Sequence, residues 1–125
     1  MLFRSRINSD SSTIYSARWI LGDGASAISN NNSSQSATFV ARHDMSTDTA
    51  SVFGNAEIYI PNYAGSTAKS LSGDSVTENN ATTAYTNLAA GLYTGTSAIT
   101  SLTLIPDANS FAQYSSFYLY GVKNA

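Results

Sequence analysis

The sequence has no cysteine, two prolines and one histidine in 125 residues, and charged side chains make up only 11% of it. Without cysteine there are neither disulfides nor thiolate metal sites, so stability has to come from packing or from association with other subunits. A charged fraction well below the usual quarter or so leaves a surface that is polar but neutral. Six basic and eight acidic residues give a net charge of -2, and no basic cluster is present to hold a phosphate backbone, which excludes nucleic acid as a partner. Arg4 and Arg6 stand close together, but in an alternating segment they mark the solvent face of a strand. No apolar run approaches the roughly 20 residues that a membrane span needs, and the start lacks a signal-type basic-then-apolar order. A soluble chain with no membrane insertion is expected.

What the sequence does have is 21 Ser, 13 Thr, 11 Asn and 8 Gly beside 42% hydrophobic and 11% aromatic residues. That mixture favours turns and strands over helices. Strands are predicted over Leu2 to Asn8, Thr13 to Leu21, Ala37 to Arg42 and Glu57 to Ile60, the last ended by Pro61. Gly22, Asp23 and Gly24 give a tight hairpin turn. Asn30 to Ser34 reads as a loop, Lys69 to Leu71 as a short strand, and Ser72 to Thr83 as the longest loop. Tyr85 to Tyr93 reads as a strand in preference to a single helical turn on Ala89 and Ala90, and further strands follow at Ile99 to Ile105 before Pro106 and at Ser116 to Lys123, where large residues occupy both faces. Seven or eight short strands at spacings of about 8 to 12 residues predict an all-β, single-domain antiparallel β-sandwich, jelly-roll-like, over residues 1–125.

Catalytic chemistry is not expected. His43, between Arg42 and Asp44, reads as an exposed loop histidine, and no G-x-S-x-G elbow accompanies the many serines. Asp10, Asp23, Asp74 and Asp107 sit beside Gly, Ser or Pro, where Asp commonly bonds its own backbone in a turn. Asp44 and Asp48 lack the dense oxygen spacing of a calcium loop. No catalytic, cofactor-binding or metal-ligating residues are therefore assigned. Tyr15, Trp19, Tyr59, Tyr118 and Tyr120 fall inside predicted strands as packing residues, whereas Tyr63, Tyr93 and Tyr114 near strand ends are the candidates for surface contact.

Three stretches carry a resemblance. Arg6-Ile7-Asn8-Ser9-Asp10-Ser11-Ser12-Thr13-Ile14-Tyr15-Ser16 comes first, then Glu57-Ile58-Tyr59-Ile60-Pro61-Asn62-Tyr63. The third runs from Ser97-Ala98-Ile99-Thr100-Ser101-Leu102-Thr103-Leu104-Ile105-Pro106 to the ending Phe117-Tyr118-Leu119-Tyr120-Gly121-Val122-Lys123. In this order they resemble the jelly-roll-like β-sandwich module of tailed-bacteriophage virion proteins, found in tail-fibre and other tail-associated chains. The resemblance implies a structural module without catalytic residues or cofactors, located in the virion. Such modules usually carry a further strand before the R-x-N-x-D segment, with which this chain almost begins, and a sheet edge left open for a neighbouring subunit is the expectation. A tail-associated fibre or baseplate module, assembled as a homo-oligomer with a trimer favoured, is the first functional expectation. Its partners would be other virion proteins and a host-surface glycan or protein. A capsid decoration or cement protein is the alternative, and a carbohydrate-binding module the more remote one.

Overall fold

A computed structural model describes residues 2–80 and 84–123. It forms eight strands: β1 (Leu2–Ile7), β2 (Tyr15–Gly22), β3 (Ala27–Gln35), β4 (Thr38–Arg42), β5 (Asn55–Tyr59), β6 (Lys69–Thr77), β7 (Tyr85–Tyr93) and β8 (Leu102–Pro106). All pairings are antiparallel, in a three-stranded sheet ordered β4-β1-β8 and a five-stranded sheet ordered β3-β2-β7-β6-β5. The chain is thus an all-β antiparallel sandwich, with no helix among the described residues. The first strand pairs with the last and the second with the last but one, so residues far apart in sequence meet at every layer.

Alternation creates the core. In β1 the residues Phe3, Ser5 and Ile7 point inward, and in β2 Tyr15, Ala17 and Leu21 do so. They enclose Val40, Ala41, Leu71 and Tyr93, while Phe39 fills a second pocket against Ala17, Ala89 and the edge of the Trp19 ring. Strand β4 is buried on both faces because it lies against β6 and β7 at very short range. Two glycines permit that approach. A Cβ on Gly91 would sit 2.5 Å from Thr38 Oγ1, and one on Gly73 would meet the Val40 carbonyl oxygen.

Several expectations are corrected by the structure. The Asn30 to Ser34 segment is the middle of β3, a strand and not a loop; it hydrogen-bonds along β2 as one arm of a hairpin whose side chains remain almost wholly in solvent. Strand β6 runs on to Thr77 with perfect inside–outside alternation, so half of the expected long loop is sheet, and residues 81–83 of it lie outside the described residues. Asp74 accordingly lies mid-strand and not in a turn. The largest correction concerns Ser116 to Lys123, which is not a strand; it pairs with nothing in either sheet, and Leu119 is 89% exposed.

Candidate interaction surface

The R-x-N-x-D segment folds into a corner that ties four parts of the molecule together. Asn8 and Ser9 adopt positive φ (52° and 57°), and this turns the chain out of β1. From that position the Asn8 side chain donates to the Ala98 carbonyl and accepts from the amides of Thr100 and Ser101, fixing the approach to β8. The Arg6 Nε donates to the Ser36 carbonyl. Asp10 accepts from the Ser12 hydroxyl and amide, and these bonds hold its carboxyl below the usual aspartate range. The Tyr93 hydroxyl donates to the same carboxylate at 3.3 Å. Tyr93 is only 4% exposed, so it is not a surface-contact residue as expected; it stacks on Tyr15 inside the core, where burial pushes both phenols up. The motif is an architectural latch.

His43 is also corrected. It is half-buried between the rings of Phe3 and Phe111, and burial lowers its pKa. The neighbouring cleft, of about 410 Å³, is bordered by Arg42, Asp44, Asp48, Thr77 and Tyr85. Its charged groups are already engaged in holding the loop. The Arg42 guanidinium lies 3.9 Å over the Tyr85 ring, Asp44 accepts from the Gly54 amide, and Asp48 accepts from the Met45 amide. Among the described residues no three potential metal ligands come together. Sequence reasoning also missed Lys69, 1% exposed, whose ammonium donates to the carbonyls of Gly65, Thr67 and Thr96 and so gathers two loops at one end of the sandwich. No signal in a Lys-Ser-Leu segment announces that role.

The remaining chemistry is on the outer face of the five-stranded sheet. The ladder places Ile20 opposite Leu88, Leu88 opposite Asp74, and Asp74 opposite Glu57. The next row is Arg18, Ala90, Ser72 and Tyr59, so Tyr59, expected to pack inside, stands on this outer face instead. Ile20, Tyr59, Val76, Leu88 and Leu92 are all exposed; Arg18 stands beside Ile20 on β2, and Asp74 and Glu57 continue the Ile20–Leu88 row onto β6 and β5. Exposed apolar side chains interspersed with a few charges on one sheet face form a surface suited to contact with protein. Of the candidate contact tyrosines, Tyr63 and Tyr114 are exposed on separate turns outside this face; Tyr118 and Tyr120, expected to pack, are exposed as well.

No protein-family model, curated protein or solved structure matches the chain.

Proposed function

We propose that this chain is a non-enzymatic structural component of a tailed-phage particle, tail-associated, that works as a symmetric homo-oligomer against neighbouring virion proteins. The observation that carries the reading is the group of exposed apolar residues Ile20, Leu88 and Leu92 on the outer face of the five-stranded sheet. Exposed leucines on a β-sheet need a partner surface to leave water, and a module used for assembly has a reason to keep them. The motif resemblance supports the same direction, since its R-x-N-x-D and I-T-S-L-T-L segments act here as scaffold. Host contact through a glycan or protein would fall to the exposed tyrosines Tyr63 and Tyr114.

The test is mass spectrometry of purified particles followed by cryo-electron microscopy with this sandwich fitted to the density. Density on the tail or its fibres supports the reading. Density at the symmetry axes of the shell replaces it with the decoration role, and absence of the chain from purified particles overturns both.

A further inference from the structure

The segment 116–123 has the sequence of a strand and the surroundings of none. Phe117, Tyr118, Leu119, Tyr120 and Val122 combine high strand preference with alternation, no proline interrupts them, and all five side chains are exposed. Only its root is held: the Phe117 ring packs edge-on against Phe111, which bridges to Met45.

Elsewhere the sandwich has an edge with the opposite deficiency. Strand β8 pairs with β1 on one side and, among the described residues, with nothing on the other. Its register puts Arg6 opposite Thr103 and Arg4 opposite Ile105, and the flanking bonds from the Asn8 amide to the Ser101 carbonyl and from the Asp107 amide to the Leu2 carbonyl fix the phase. In an antiparallel ladder that phase turns the amides of Thr103 and Ile105 toward β1 and those of Leu102 and Leu104 toward the free edge. The side chains of Leu102 and Leu104 lie against the core yet stay half-buried, because no further strand covers them. From Leu102 to Ile105 there is no charge or bulge of the kind that guards an edge, and the strand closes on Pro106, which leaves the Leu102 and Leu104 amides as the open donors.

The other edges are less open. β4 turns its free side onto β6, where the Arg42 amide donates to Ser75 Oγ and the Val40 carbonyl presses on Gly73. β5 carries the charged Glu57 in mid-strand, and β3 has no apolar face to complete.

We infer that residues 116–123 are a donated strand that pairs with the free edge of β8 in a second copy of this chain. Pairing within one copy is disfavoured by the path of the chain: the Met45–Phe111 bridge leaves the root of the segment beside the continuation of β4, and β1 stands between it and β8. In the second copy, Leu119 extends the inner face over Leu102 and Leu104, while Phe117 stays on Phe111 of its own copy and the hydroxyls of Tyr118 and Tyr120 stay on the wet side. Passed from copy to copy, the exchange closes as a ring; made reciprocally, it closes as a dimer. The inference stands on the chain's own geometry and is independent of which particle carries it.

The test uses the full chain and the variant Leu119→Pro. Since Leu119 is 89% exposed, the substitution leaves each sandwich folded, which circular dichroism verifies. Light scattering is expected to show a closed oligomer for the native chain and a 13.2 kDa monomer for the variant. Hydrogen exchange is expected to find the Leu102 and Leu104 amides at least tenfold slower in the native chain than in Leu119→Pro. A native chain that stays monomeric at about 100 µM, where an association of micromolar Kd is nearly complete, overturns the inference. An oligomer in which those two amides exchange equally fast in both chains overturns it as well.

Discussion

A Cβ placed on Gly73 would stand 2.1 Å from the carbonyl oxygen of Val40, so the two sheets meet backbone against backbone at the centre of the sandwich. Gly73→Ala is therefore expected to push β4 away from β6 and destabilise the fold by an amount at the upper end of ~1–3 kcal/mol. Urea denaturation with an unchanged m-value checks it; a midpoint equal to the native one would show that the sheets do not touch there.

The Tyr15 hydroxyl accepts from the Ile7 amide at 3.0 Å and donates to the Asp10 carbonyl at 2.9 Å. Tyr15→Phe keeps the ring stack with Tyr93 but leaves a buried amide without a partner, a loss of about 1–3 kcal/mol. Thermal melting of the two proteins side by side measures it.

Lys69→Met preserves the buried stem and removes the donor shared by the Gly65, Thr67 and Thr96 carbonyls. A loss of roughly 1–3 kcal/mol is expected. Faster amide exchange in the two loops is expected with it, whereas a purely apolar role for the stem would leave that exchange unchanged.

Burial depresses the pKa of His43 in the folded chain. As pH falls through the ordinary histidine value near 6.5, the unfolded chain takes up a proton that the folded chain refuses, so stability declines. His43→Phe is expected to flatten the stability profile between about pH 7 and pH 5. The carboxyl of Asp10 acts in the same sense at lower pH: held low by its bonds to Ser12, it contributes stability above its unfolded pKa that is lost as pH falls through the lower folded value.

Leu88→Lys tests the exposed sheet face. Leu88 is 54% exposed opposite Ile20, so the unfolding free energy is expected to stay within ~0.5 kcal/mol of native, while incorporation into particles, read by quantitative mass spectrometry, falls.

Strands with strand-forming side chains between turn residues were legible before the structure: β1, β2, β4, β5 and β7 lie where alternation, β-branched and aromatic residues put them, and Pro61 and the Gly22 to Gly24 turn mark their ends. β6 was illegible beyond Leu71 for a definite reason. Its inward positions past that point are Gly73, Ser75 and Thr77, small or polar because β4 lies so near, and an apolar period has nothing to register. β3 was missed because it has no core face at all, and its pairing is dictated by the Asp23 turn, whose carboxylate accepts from the Ala25 and Ser26 amides. The terminal segment shows the converse: a strand pattern in sequence says what a segment prefers, not that its own molecule supplies an edge. Tyr93 looked like a rim residue and is core because the corner after β1 folds Asp10 over its hydroxyl. Nothing local to Tyr93 encodes that contact.

The β2–β3 hairpin has a consequence for how such a chain can change over generations. Seven of the nine residues of β3 are exposed, and only Asn32 and Gln35 are half-buried, so mutations along it alter the outline of the molecule with little effect on the packing beneath. A lineage under pressure to meet new neighbours or to escape recognition has there a strip to rewrite freely, while the corner at Asn8 and the glycine at 73 admit almost no revision.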